Sequence, residues 1–126
     1  MDKEKLDYFK HKLEAEYAHL EGELRDLGVE DEETGEWDAT AGDIDESATE
    51  PDEIADRIED LEERQGETTT LQKHLDLVEH ALARIEEGSY GTCEIGGEEI
   101  EEDRLEVNPS ARTCKAHMEQ ENELPE

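Results

Sequence analysis

The sequence predicts a mainly all-α protein: an antiparallel helical hairpin or coiled coil with a small zinc-finger-like knuckle and a short C-terminal helix. Three observations predict it. Leu6, Leu13, Leu20 and Leu27 recur at seven-residue intervals, the heptad period of packed helices. A second apolar series runs through Ile54, Ile58 and Leu61 and, beyond a weak patch, through Leu71, Leu75, Val78, Leu82 and Ile85. From Gly88 the text changes to short glycine-punctuated pieces that hold both cysteines, Cys93 and Cys114.

Bulk composition supports a narrow apolar seam rather than a broad core. Only 32% of the 126 residues are hydrophobic and 4% aromatic, and a coiled-coil seam needs about two positions in seven. The net charge of −29 argues against gripping a nucleic-acid backbone, which requires Lys and Arg against phosphate. It suits basic partners or high solubility. The charge is unevenly placed: −3 over residues 1–27, −16 over 28–63 and −10 over 64–126. Neither an apolar leader nor a membrane-length run is visible, and two cysteines make no secreted disulfide framework. A cytoplasmic location, no membrane association and a monomeric state are expected.

In the first arm, Lys10, Tyr17 and Leu24 fill the positions between the heptad leucines, and Phe9, beside the seam, is expected to pack at the base of the hairpin. Gly28 is placed to cap the helix end. Residues 28–48 have no period, so residues 28–53 read as an acidic tip loop within a hairpin of residues 1–87. Trp37, the one tryptophan, reads as an anchor folding this loop back onto the arms. Thr49 is placed to open the second arm, with Pro51 in its first turn, where a missing N–H costs nothing. Glu50, Asp52 and Glu53 then stand at the positive end of the helix dipole. The weak patch Gln65–Thr70 shifts the seam's phase and predicts a discontinuity near Gly66.

Residues 88–126 read as the knuckle and C-terminal helix. A two-stranded piece is expected over Thr92–Ile100, with Asn108-Pro109 turning into the last helix. Cys93, Cys114 and His117 are the candidate metal ligands, the last two as a C-x-x-H pair. Three protein ligands fall short of the four that structural zinc takes. The residues therefore favour a metal-free knuckle with Cys93 as a small buried hydrophobe. Zinc completed by a water or a nearby carboxylate is the alternative. No nucleophile–base pair can be read, so no enzyme is expected, and His11, His19, His74 and His80 read as surface or seam-flanking.

The knuckle resembles the DksA/TraR family of bacterial transcription regulators. The matching residues are Tyr90-Gly-x-Cys93, Gly97-Glu98 followed by Ile100, Arg104-Leu105, Pro109-x-Ala111 and Cys114-x-x-His117. The resemblance extends back through Ala81 and Ile85 over roughly residues 48–118. It implies an antiparallel coiled coil on a zinc-finger base whose tip enters the secondary channel of RNA polymerase, without sequence-specific DNA binding. It also implies a tip motif, Asp-x-x-Asp-x-Ala, which falls here on Glu50 to Ala55 with glutamate at both acidic positions. Partner-binding residues are thus Glu50, Asp52, Glu53 and Ala55. The family's metal site is two Cys-x-x-Cys pairs; here Gly96 and His117 stand at the second position of each. A different class of reading keeps the chain as an acidic, non-transcriptional interaction module on a metal-free knuckle.

Overall fold

The computed structural model describes residues 1–30, 34, 36–39 and 51–124. Its elements are α1 (Lys3–Leu27), β1 (Gly28–Glu30), β2 (Trp37–Ala39), α2 (Pro51–Glu87), α3 (Glu102–Val107) and a 3-10 helix (Lys115–Glu123). The chain is mostly helical, as the heptads predict, and forms two compact units: Met1–His19 with Leu75–Glu126, and Leu20–His74.

In the first of these units, α1 begins where Asp2 accepts the Lys5 N–H through Oδ1 at 2.9 Å, satisfying one of the helix's free donors. Lys10 pairs with Glu86 at 3.9 Å, and the Tyr17 hydroxyl donates to Glu79 at 3.1 Å. One heptad forward on α1 is thus one heptad back on α2, which fixes an antiparallel register. Phe9 and Leu13 on α1 and Leu75, Val78 and Ala81 on α2 are buried. At this end Phe9 takes the seam place that the heptad gave to Lys10. Its ring lies 6.1 Å from that of Tyr90, whose hydroxyl donates to Pro109 O at 2.7 Å.

α2 ends in a Schellman turn: Ser89 N–H donates to Arg84 O, Gly88 N–H donates to Ile85 O, and Gly88 has φ +81°, a conformation glycine takes without strain. The piece expected as two strands is a tighter turn. Its one bridge pairs Thr92 with Glu99, and Gly97 N–H closes back on Cys93 O at 3.0 Å. The position of the helices differs from expectation. α3 precedes Asn108-Pro109, and Asn108 caps its exit through a bond to Arg104 O, so the dipeptide leaves one helix instead of starting another. Tyr8 and Lys12 on α1 both bond to Glu106 of α3, at 2.9 Å, which ties the short helix to the first arm.

In the unit Leu20–His74, Leu20, Leu24 and Thr68 are buried. Gly28 opens β1 rather than capping α1, and β1 pairs antiparallel with β2 in the register Gly28↔Ala39, Glu30↔Trp37. Trp37 is 7% exposed, and its backbone N–H donates to Gln72 Oε1 of α2 at 3.2 Å. The anchor reading is what the structure shows. As the one tryptophan in the chain, it should emit at short wavelength and resist acrylamide quenching; a red-shifted, freely quenched emission would contradict its burial.

The expected break near Gly66 does not occur: α2 runs uninterrupted for 37 residues. Thr68, Thr69 and Thr70 donate their hydroxyls to Arg64, Gln65 and Gly66 carbonyls, which keeps these polar groups satisfied inside a helix. Thr68 itself occupies the seam, one heptad from Leu61 and Leu75. The apolar series at the head of α2 is not packed as predicted. Ile54, Ile58 and Leu61 are 45%, 52% and 39% exposed. Among the described residues no helix is long and apolar enough to cross a membrane.

Candidate functional site

Two groups of residues were singled out by the sequence, and the structure treats them differently. Asp52, Glu53 and Ala55 lie in the first turns of α2 and are exposed. Pro51 is the first helical residue, where its fixed φ suits the helix start. The carboxylates therefore stand where free backbone N–H groups favour negative charge. Glu50 and Thr49 lie outside the described residues.

The cysteines and histidine are brought together, and a fourth donor joins them. Cys93 enters the turn after Thr92, and Glu98 leaves it. Cys114 precedes the 3-10 helix, and His117 sits in that helix's first turn, its N–H bonded to Cys114 O at 3.1 Å. The four donor atoms of Cys93, Glu98, Cys114 and His117 all lie within 4.8 Å of one another. His117 Nδ1 is 3.5 Å from Cys93 Sγ and 3.3 Å from Cys114 Sγ. Glu98 Oε1 is 2.7 Å from His117 Nδ1 and accepts from the Cys114 thiol at 2.9 Å. The cysteines are 2% exposed, while the Glu98 and His117 side chains keep 44% and 29% of their surface. The site is thus floored by sulfur and open at a rim of imidazole and carboxylate.

This donor set fits zinc. Zn–S bonds of about 2.3 Å and Zn–N or Zn–O bonds of about 2.0–2.2 Å put tetrahedral donors roughly 3.3–3.8 Å apart, the scale of the cluster. Glu98 brings a carboxylate beside the three donors read from the sequence, and spacing alone did not single it out.

Hydrogen bonding within the cluster redistributes its protons. The bond from Cys114 holds the Glu98 carboxyl down to about 2, against a smaller opposing effect of burial. The same bond pushes the Cys114 thiol up. His117 is raised, first by its bond to Cys93. Burial would push Cys93 up, but N–H groups of Gly96, Cys114 and Ile95 outweigh it and the thiol is lowered. Thiol, carboxyl and imidazole side chains are the groups whose protons a divalent ion displaces on binding.

Around the site runs a charged frame that sequence reading missed. Glu94, next to Cys93, accepts from Arg112 Nε at 2.6 Å and Nη2 at 3.1 Å. It also meets His80 Nε2 at 3.1 Å and Arg84 Nη1 at 3.5 Å. His80 is therefore not a plain surface residue: it joins α2 to the knuckle. On the other side Arg104 donates to Thr113 O at 2.6 Å and to Glu121 at 2.9 Å. Both frames hold the backbone on either side of a ligand, the role that outer residues play at metal sites.

The fold and this site define a mainly α protein with a long first helix packing on a second and a small zinc-finger-type knuckle. Residues 88–116 match the model of the prokaryotic dksA/traR C4-type zinc finger, so the knuckle of this chain is similar to that finger. Fifty residues are 44% identical to protein YteA of Bacillus subtilis, covering 40% of this chain and 21% of that protein. Fifty-one residues are 43% identical to general stress protein 16O of the same organism, covering 40% and 31%. The matches thus span less than a third of these relatives' length. The solved structure of transcription factor DksA2 from Pseudomonas aeruginosa matches with a TM-score of 0.62 and 27% identity, over 98% of this chain and 87% of that one. The Dks protein of Chlamydia trachomatis shares the fold, at a TM-score of 0.55, 22% identity and coverage of 98% and 93%.

Proposed function

We propose that this chain is a transcription regulator that binds bacterial RNA polymerase, entering its secondary channel with the acidic head of α2. The likeness to transcription factor DksA2 across 98% of the chain carries the reading. Glu50, Asp52 and Glu53 supply the acidic tip, and Ala55 leaves room for close approach. Carboxylates on a rigid helix start are suited to perturbing a magnesium ion or the basic groups around it. The hairpin of residues 1–87 gives reach, and residues 88–126 form the base. The role is non-catalytic, needs no sequence-specific DNA contact, and belongs in the cytoplasm with the polymerase.

The double variant Glu50→Ala, Glu53→Ala should lose its effect on run-off transcription while still binding polymerase on a column. Unchanged regulation would sink the tip assignment. Consistent absence of polymerase subunits from a pull-down with the wild-type chain would instead favour an acidic module for some other basic surface. The exposed stripe Ile54, Ile58 and Leu61 among the acids of α2 is the feature such a partner would use.

A further inference from the structure

The sequence lacks one expected ligand, and the structure shows what occupies its place. A Cβ built on Gly96 would collide with both carboxylate oxygens of Glu98 and stand 2.6 Å from its Cδ. The volume that any side chain at position 96 would enter is filled by a carboxylate belonging to position 98. That carboxylate points into the cluster, at 2.7 Å from His117 Nδ1 and 2.9 Å from Cys114 Sγ. We propose that Glu98 is the fourth protein ligand of a zinc ion held by Cys93, Cys114 and His117, and that the missing side chain at Gly96 is what seats it.

Other nearby acids are already engaged elsewhere. Glu94 is committed to Arg112, Arg84 and His80. Glu101 accepts the Lys115 N–H at 3.0 Å, and Glu121 serves Arg104 and Arg112. Glu98 is the carboxylate whose hydrogen-bond partners are the cluster itself. Gly96 also keeps a direct part, donating its N–H toward Cys93 Sγ at 3.5 Å, a bond that orients a thiolate ligand. The exchange is a coupled one: the glycine removes a potential donor and admits another from two residues on. The outcome is a site of two sulfurs, one nitrogen and one oxygen, with its oxygen and nitrogen donors on the solvent side. This inference concerns the knuckle alone and stands whether or not the chain acts on polymerase.

The full-length chain tests it. Wild-type protein should bind one zinc per chain, and X-ray absorption should show two sulfur and two lighter neighbours. Glu98→Gln should weaken zinc, measured against a chromophoric chelator, by at least about tenfold, the scale of losing a supporting group at a metal site. Gly96→Ala should weaken it comparably with Glu98 still present, because the new methyl evicts the carboxylate. The Gly96→Ala, Glu98→Gln double variant should bind no more weakly than Glu98→Gln alone. Gly96→Cys in the Glu98→Gln background should restore tight binding and add a third sulfur, which also shows that the Gln variant folds. Wild-type protein without zinc at equilibrium with the chelator overturns the proposal. So do a Glu98→Gln variant of unchanged affinity and additive losses in the double variant.

Discussion

Replacing Glu94 with alanine is expected to destabilise the folded chain by about 3 kcal/mol or more, on the scale of breaking a buried ion pair. Glu94 sits between two guanidiniums that are themselves shielded: the side chains of Arg112 and Arg84 are 7% and 10% exposed, and that of Glu94 is 20%. Alanine removes the anion and leaves both cations in place. Arg84 retains its bonds to Ser89 O and Thr92 O, at 2.8 and 2.7 Å, which limits the loss on its side. Urea unfolding of the variant should show a lower midpoint at unchanged slope. A change below about 0.5 kcal/mol, the range of ordinary surface substitutions, would mean that the network is solvated and the frame is not structural.

The same carboxylate sets a pH signature. Burial alone would push the Glu94 carboxyl up; the Arg112 hydrogen bond and charge, with His80, more than offset this and hold it below its ordinary 4.5. A depressed folded value means that the folded state keeps the carboxylate ionised where the unfolded chain has begun to protonate. Its stabilisation is complete above the ordinary carboxylate value and fades as pH falls through the folded one. Glu94→Gln should remove that part of the acid limb and leave a flatter stability curve below about pH 4.5. Neutral-pH stability should fall less than in the alanine variant, because the amide oxygen still accepts.

How far the sequence reaches is clear from particular residues. The leucine heptad located α1 to within its true bounds, because leucine at period seven has few structural uses other than a helical seam. It also placed Phe9 at the base of the hairpin, where it is buried against Tyr90, while its neighbour Lys10, given a seam position, instead pairs with Glu86. The patch at Thr68–Thr70 misled because a polar residue at a seam position breaks an apolar pattern without breaking a helix. Asn108-Pro109 carries the same residues at a helix exit as at an entry, so its direction was not legible. Local text also failed to show α3, whose six residues carry too little periodicity to stand out.

The site was legible in its sulfur and imidazole and illegible in its carboxylates. Two cysteines in 126 residues are distinctive, whereas Glu98 and Glu94 are two among 41 acids. What distinguishes them is distance across the fold: Glu94 meets Arg112 eighteen residues on, and Glu98 meets Cys114 sixteen residues on. The local signal for a ligand role of Glu98, beyond its place in the Gly97-Glu98 match, was the glycine at position 96. A small residue where a ligand is expected marks a place that something else fills.

The apolar positions make the second large prediction, because identical heptad logic gives opposite results on α1 and at the head of α2. Leu13 is wholly buried, at 0% exposure, in the unit that also holds Phe9, Val78 and Leu105. Leu13→Ala should cost about 2–5 kcal/mol, combining lost transfer energy with an unfilled cavity. A chain that is only 32% hydrophobic has few neighbouring apolar groups to close such a gap, which places the loss toward the upper part of that range. Ile58, by contrast, is 52% exposed although the sequence assigns it to the same kind of seam. Ile58→Ala should change stability by no more than about 0.5 kcal/mol. Chemical denaturation of the two variants side by side is the measurement. Equal losses would mean that Ile58 is covered in solution, and that the head of α2 is a packed seam; unequal losses leave it an exposed apolar stripe.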